Sequence, residues 1–243
     1  MNKGFYEIIS NRNIAKDTWE MVLSGDTSSL ERPGQFINIA IEGLFLRRAF
    51  SVGHYEDGRI TIIYKVVGKG TRAMTLMEKG KKLDILCGLG NGFDVTKAAG
   101  RKAAVIGGGV GVPPMYDTAR RLIAQGNDVT AILGFATAEA AFYVDQFMAL
   151  GAKVLVTTDD GSFGMKGFVT DALAQTDCDY YFACGPQPML KGLHRTGLDG
   201  QLSFEERMGC GFGACMGCTC KTKYGAKRIC KDGPVLRREE IVW

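Results

Sequence analysis

Ala103-Ala104-Val105-Ile106-Gly107-Gly108-Gly109-Val110-Gly111-Val112-Pro113-Pro114 reads as a buried strand, a glycine loop and the first turn of a helix. Apolar residues without polar alternation suit a strand covered on both faces. Proline suits a first helical turn, where the missing amide hydrogen has no helical partner to lose. Bare, polarised amides at such a helix start can hold a pyrophosphate. The loop departs from the strict G-x-G-x-x-G, since Val112 and Pro113 follow its last glycine. Its strand–loop–helix setting is what gives it weight. Gly107, Gly109 and Gly111 are the candidate nucleotide contacts.

Downstream the same grammar repeats. Val129–Gly134, Val154–Thr157 and Tyr180–Cys184 read as strands. Pro113–Ala124, Ala138–Leu150, Gly167–Ala174 and Pro188–Arg195 read as helices. This alternation predicts a doubly wound parallel sheet over residues 99–200. After the second strand, Gly134-Phe135-Ala136-Thr137-Ala138-Glu139 offers no Arg or Lys for a 2′-phosphate, which favours NAD over NADP. Cys184-Gly185-Pro186 closes a strand at the carboxyl edge, where ligands bind in such sheets. A cysteine at a strand end is more often simply buried.

Upstream, residues 1–98 carry short β-rich runs separated by turn signals such as Gly25-Asp26, Pro33-Gly34 and Asp57-Gly58. The runs Phe5–Ile14, Thr18–Leu23, Gln35–Ile41, Ala49–Tyr55, Arg59–Val67 and Leu83–Cys87 predict a small antiparallel barrel, interrupted by a helix near Thr71–Met77. Arg48 could hold a phosphate, and Ser51 could reach a flavin ring nitrogen. Gly70 and Thr71, before a helix, could offer amides to a pyrophosphate. Out of context, both stretches read more readily as an ordinary strand and an ordinary helix start.

Residues 201–243 are rich in Cys, Gly, Lys and Arg, with little periodicity. Such a stretch is expected to build little apolar core, and a metal centre would hold it. The spacing Cys210-x4-Cys215-x2-Cys218-x11-Cys230 matches the plant-type pattern of a [2Fe–2S] cluster in its first three ligands. The alternative is structural zinc, which usually wants two tight knuckles where this stretch has one. Cys220 is a fifth thiol, taken as a non-ligand. Basic residues from Lys221 to Arg238 read as a solvated face, or as cations offsetting the cluster's charge.

The 243 residues carry a formal charge of +4 and 46% hydrophobic residues, as an ordinary globular protein does. No basic tail or RNA-binding signature points to nucleic acid. No run reaches the roughly 18–20 apolar residues of a membrane span. No secretory signal is visible, so a cytoplasmic setting with reduced thiols is expected. The two histidines, His54 and His194, are placed in no site.

A flavin barrel, a nicotinamide sheet and a cysteine-rich tail together resemble the ferredoxin reductase-like family. Within it the chain resembles the electron transfer subunits of dihydroorotate dehydrogenase B. The resemblance covers nearly the whole chain. It is carried most specifically by Glu205-Glu206-Arg207-Met208-Gly209-Cys210 through Cys220 and by Arg228-Ile229-Cys230-Lys231-Asp232-Gly233-Pro234. Thr158-Asp159-Asp160-Gly161-Ser162 and Cys184-Gly185-Pro186 also fit. Two positions depart from it: Ala49 stands where the family commonly has proline, and Lys65 where it commonly has arginine.

The resemblance implies FAD contacts from Arg48, Ala49, Phe50 and Ser51, from Ile63, Tyr64 and Lys65, and from Gly70 and Thr71. It implies cluster ligation by Cys210, Cys215, Cys218 and Cys230. It places NAD near Gly107–Gly111 and Cys184, Gly185 and Pro186, with Ser51 and Cys184 where flavin and nicotinamide react. It implies a partner subunit carrying FMN that oxidises dihydroorotate for pyrimidine biosynthesis, in a heterotetramer with two copies of each chain. Electrons would pass singly through the cluster to FAD, and as hydride to NAD⁺. Related subunits of ferredoxin:NAD(P)⁺ reductase, sulfide dehydrogenase or hydrogenase complexes share all three parts and remain the alternative.

Overall fold

The computed structural model describes residues 1–243. Its N-terminal part holds β1 (Asn2–Ala15), β2 (Thr18–Ser24), β3 (Phe36–Ile39), β4 (Arg48–Glu56), β5 (Arg59–Lys65), α1 (Lys69–Thr75) and β6 (Lys82–Leu89). The six strands close into an antiparallel barrel in the order β1-β2-β5-β4-β3-β6. Asp57 (φ +48°) and Gly58 (φ +73°) make the two-residue hairpin between β4 and β5, which needs two positive φ values in a row. Along β6 every second residue is buried, so one face of the strand lines the barrel core with Ile8, Met21, Ile37 and Ile60.

The second part contains β7 (Ala103–Gly108), α2 (Val112–Ala124), β8 (Val129–Phe135), α3 (Val144–Ala149), β9 (Lys153–Thr158), β10 (Met165–Lys166), α4 (Val169–Leu173), β11 (Tyr180–Cys184), α5 (Gln187–Arg195) and β12 (Gly200–Ser203). The last part adds β13 (Thr219–Thr222), β14 (Gly225–Arg228), α6 (Ile229–Asp232) and β15 (Val235–Arg237). The large sheet runs β10-β9-β8-β7-β11-β12-β15, parallel except for β15. Every residue of β7 is buried, as expected for a central strand covered on both faces. From β7 the chain builds outward first through β8 and β9, then through β11 and β12. The strand order therefore reverses between β7 and β11, where such sheets open a crevice.

Two sequence expectations change. The helix expected over Ala138–Leu150 is broken into a 3-10 turn at Ala138–Ala140 and α3. Between them Tyr143 takes a left-handed φ of +64°. Tertiary contacts set this path: Phe142 packs edge-on against Phe135, and Tyr143 stacks on Tyr116 with ring centroids 5.5 Å apart. The C-terminal stretch does contribute a core. Ile229, Leu236, Ile241, Cys218 and Cys230 join one buried cluster with Ile106, Leu190 and Leu202 on a face of the sheet. The apolar residues are few, but β15 pairs with β12 and carries them onto a face that already exists.

Barrel and sheet are joined through α2. Asp117, 1% exposed, receives hydrogen bonds from Arg120 and Arg121. Arg121 also donates to the Glu31 carbonyl at 2.9 Å and to the Tyr55 hydroxyl, both in the barrel. His54 of β4 faces the same carboxylate at 3.5 Å. His194 lies beside Trp243, and neither histidine lines a ligand cleft.

Candidate functional site

Two clefts open along the seam between barrel and sheet. The larger, about 590 Å³, lies at the carboxyl ends of the parallel strands. Gly108, Gly109 and Val110 form its floor at the start of α2, and Gly134, Phe135, Thr157 and Asp159 line it from β8 and β9. Pro186 and Met189 close it from α5, and Thr18 and Lys65 reach it from the barrel. The amides at the start of the 13-residue α2 suit a pyrophosphate. Asp159 adds a carboxylate, and no cation of the sheet lines the cleft, an arrangement unfavourable to a 2′-phosphate.

Of the glycines named from the sequence, Gly109 is in the wall, while Gly107 and Gly111 lie behind it. A Cβ on Gly111 would stand 2.1 Å from the Cys184 carbonyl oxygen, so glycine there permits α2 to approach β11. Gly107 sits against Val112.

The smaller cleft, about 430 Å³, is built on the barrel. Arg48, Ala49, Phe50 and Ser51 line it from β4, Ile63, Tyr64 and Lys65 from β5, and Thr71 from α1. The Thr71 hydroxyl accepts hydrogen bonds from the amides of Val67 (3.0 Å) and Gly68 (3.2 Å), which fixes the turn into α1. Gly70 lies beneath the Arg48 side chain: a Cβ there would be 3.1 Å from its Nε. Phe50 and Tyr64 stack edge to face at 5.9 Å, giving an aromatic wall to a cleft with one guanidinium. A flat aromatic group bearing phosphates fits that donor set.

This cleft is covered by residues that were not assigned to a flavin site from the sequence. Ser203, Phe204, Glu205, Glu206, Met208 and Pro234 come from the cysteine-rich part and form its far wall. Their only sequence signal was the Glu205-Glu206 pair ahead of the cysteines. Nothing local indicates that this segment folds back onto the barrel. Lys65 and Val110 line both clefts, so the two cavities share a wall.

Cys184 is 2% exposed and lines neither cleft, whereas Pro186, two residues on, does. Burial pushes its thiol up to about 12; the nearby Glu205 carboxylate adds to this and a hydrogen bond with Ser203 opposes it. Glu205 has surface open to the cleft, yet its carboxyl is crowded enough that desolvation raises it above the usual carboxylate range. Cys184, Ser203 and Glu205 therefore form one polar group next to the seam.

The four candidate ligand cysteines fall into two pairs. Cys210 and Cys215 face each other on one loop: the Cys210 sulfur accepts from the amides of Ala214 (3.2 Å) and Cys215 (3.4 Å), and the Cys215 sulfur from the amide of Cys210 (3.5 Å). The Cys218 sulfur accepts from the amide of Cys230 at 3.4 Å. Burial opposes ionisation of Cys210, but the surrounding amides outweigh it and bring the thiol down to about 6. Burial and the neighbouring Cys218 push Cys230 up to about 12. The four cysteine sulfurs, taken as two pairs, are the donor set of two metal ions bridged by sulfide.

Cys220 lies on β13, opposite Lys227 of β14, and burial raises its thiol. Four of the basic residues are locally paired: Lys227 with Glu240, Arg228 with Asp232 (3.1 Å), Arg237 with Glu239 (2.9 Å) and Arg238 with Asp199 (3.8 Å). Their charge is mostly spent on carboxylates, which weakens the expectation that they offset a cluster.

Comparison with known proteins agrees with this architecture. Residues 205–242 match the iron-sulfur cluster binding domain of dihydroorotate dehydrogenase B, and residues 105–195 match the oxidoreductase NAD-binding domain. The chain is 43% identical to the dihydroorotate dehydrogenase B (NAD⁺) electron transfer subunit of Geobacillus thermodenitrificans, over 97% of this chain and 96% of that one. It is 41% identical to the subunit of the same name from Fusobacterium nucleatum, over 95% of both. Among solved structures, an NADH-dependent reduced ferredoxin-NADP oxidoreductase superposes with a TM-score of 0.89 at 32% identity, covering 99% of this chain and 90% of that one. Phthalate dioxygenase reductase shares the fold, with a TM-score of 0.68 at 21% identity over 80% of this chain and 64% of that one. The chain belongs to the dihydroorotate dehydrogenase B electron transfer subunits, oxidoreductase modules that join an NAD-binding domain to an iron–sulfur domain.

Proposed function

We propose that this chain carries electrons between a catalytic partner and NAD⁺ by way of a [2Fe–2S] cluster and FAD. One observation supports this above the rest: the barrel cleft shares Lys65 and Val110 with the nucleotide cleft on one side and is walled by the cysteine-bearing segment on the other. Three redox sites are thereby set in a row. FAD supplies the exchange between one-electron and two-electron chemistry that neither a cluster nor a nicotinamide performs alone.

The residues then take these roles. Arg48 and the α1 amides at Gly70 and Thr71 bind the flavin phosphates, and Ala49, Phe50, Ser51, Ile63, Tyr64 and Lys65 hold the ring system. Gly109 and Pro186 contact NAD, and Gly107, Gly111, Cys184 and Gly185 shape the sheet edge that receives it. Ser51 and the Cys184–Ser203–Glu205 group flank the junction where hydride crosses. Cys210, Cys215, Cys218 and Cys230 ligate the cluster. Units 1–98, 99–200 and 201–243 serve flavin, nicotinamide and cluster in turn.

The partner is an FMN-containing subunit that oxidises dihydroorotate, two copies of each chain form a heterotetramer, and the complex works in the cytoplasm. No helix here is long and apolar enough to cross a membrane. The likeness to the ferredoxin-NADP oxidoreductase favours one other reading, an electron-transfer module serving ferredoxin. Co-expression with the catalytic subunit separates them. The cofactor-complete complex is expected to reduce NAD⁺ with dihydroorotate, and a complete complex that fails to do so would sink the proposal.

A further inference from the structure

The segment after β12 is anchored to the sheet by the pairing of β15 with β12. That pairing fixes it relative to the nucleotide cleft, not to the barrel on which the flavin cleft is built. Against the barrel it shares apolar contacts, since Phe36 and Leu89 join the buried core of Cys218, Ile229 and Cys230. Such contacts are non-directional and leave the register open. Direction comes from two asparagines: every hydrogen bond between residues 1–93 and residues 204–243 is made by Asn38 or Asn91.

The two reach different ligand loops. Asn38, 2% exposed on β3, donates from Nδ2 to the Cys210 carbonyl at 3.2 Å. It holds the outer loop, which carries the half-buried Cys210 and the exposed Cys215. Gly211 permits the approach, because a Cβ there would stand 2.3 Å from the Asn38 Nδ2. On the barrel side Asn38 pairs with Ala49, which lines the flavin cleft. Asn91 follows β6 and grips the inner loop just after Cys230, a sulfur buried like that of Cys218. Its Nδ2 donates to the carbonyls of Asp232 (3.3 Å) and Val235 (2.8 Å), and its Oδ1 accepts from the Val235 amide at 3.1 Å. Its own backbone amide donates to the Gly233 carbonyl at 2.7 Å. Pro234, enclosed by these bonds, lines the flavin cleft. Each asparagine thus joins a ligand loop to a wall of that cleft.

We propose that Asn38 and Asn91 are positioning residues: their side-chain amides set where the outer and inner ligand loops stand relative to the flavin cleft, and so the spacing across which electrons pass. A side-chain amide suits this task because one planar uncharged group carries both donors and an acceptor. The inference rests on the function proposed above.

Asn38→Leu and Asn91→Ala test it in the cofactor-complete complex, by hydrogen–deuterium exchange and by single-turnover mixing with NADH. Exchange is expected to quicken around residues 209–215 in Asn38→Leu and around residues 229–236 in Asn91→Ala, with β3 and β6 unchanged. Flavin bleaching by NADH should keep its rate. The paramagnetic signal of the reduced cluster should appear about tenfold more slowly, a loss within the range that displacements of about 1 Å produce. A variant that loses iron while only its own loop exchanges faster also supports the proposal. Unchanged signal rates in both variants overturn it, as does slowing without faster exchange in the matching loop, or exchange that rises throughout the barrel. An unaltered complex that gives no cluster signal sinks the proposed function instead, so the two failures are distinguishable.

Discussion

The Tyr143 hydroxyl donates a 2.6 Å hydrogen bond to the Glu20 carboxylate across the seam between sheet and barrel. Arg12 holds the other carboxylate oxygen at 2.7 Å, so the nearly buried Glu20 is satisfied from both sides. Tyr143 follows Phe142, which lines the nucleotide cleft, and Thr18, two residues from Glu20, lines it from the barrel. The hydrogen bond therefore ties together two walls of that cleft. Tyr143→Phe keeps the ring stacking and the backbone but leaves one carboxylate oxygen unpaired. A loss of about 2 kcal/mol in stability is expected. KM for NADH should rise by about three- to tenfold with kcat little changed, since binding geometry and not chemistry is disturbed. Thermal denaturation and steady-state kinetics together check this.

Arg48 is the only cationic side chain in the flavin cleft besides Lys65, which sits at its border with the nucleotide cleft. Removing a charged hydrogen-bond donor to a phosphate costs about 1.5–3 kcal/mol, or about ten- to a hundredfold in affinity. Arg48→Ala should therefore lose FAD on gel filtration and regain it only at high added FAD. Flavin fluorescence titration measures the shift, and the cluster absorption should remain.

Asp117 makes a pH prediction. Burial alone would raise its carboxyl, but the His54 imidazole 3.5 Å away and the guanidinium groups of Arg121 and Arg120 carry it below the ordinary value of 3.8. A depressed value in the folded state means that the stabilisation is complete above 3.8 and is lost as pH falls through the folded value. Asp117→Asn should destabilise the protein by about 3 kcal/mol at neutral pH, because it leaves two guanidinium groups without their partner. Denaturant titrations of the two proteins should converge as the pH drops below that range. A gap that persists unchanged at pH 3 would show that the charge is not the cause.

How far the fold could be read from the sequence depended on how local its causes were. The stretch Ala103–Pro114 announced β7 and α2 because burial on both faces and proline at a helix start are properties of adjacent residues. Asp57-Gly58 announced its hairpin for the same reason. Tyr143 did not announce its left-handed turn, because that turn is imposed by Tyr116 and by Glu20 from the other part of the chain. The cysteine spacing revealed a metal centre. It did not reveal that Ile229 and Leu236 would complete a core begun by β7 and α5, nor that Glu205 and Pro234 would wall the flavin cleft. Those facts follow from β15 pairing with β12, a contact between strands more than thirty residues apart in sequence.

Cys220 is the sharpest test of the ligand set. It lies two residues after Cys218, but its strand pairs with β14 and places it opposite Lys227, and its sulfur takes no part in the amide hydrogen bonds that link the two facing pairs. Cys220→Ser should keep the brown visible absorption and full iron content. Its cost should be limited to about 1–3 kcal/mol for placing a hydroxyl in a partly buried position. Cys218→Ser, by contrast, alters an inner sulfur that receives the Cys230 amide and should strip or bleach the cluster. Loss of the brown colour in Cys220→Ser with retention in Cys218→Ser would mean that Cys220 takes the place of Cys218 as the third ligand and that the pairing drawn from the amide contacts is wrong.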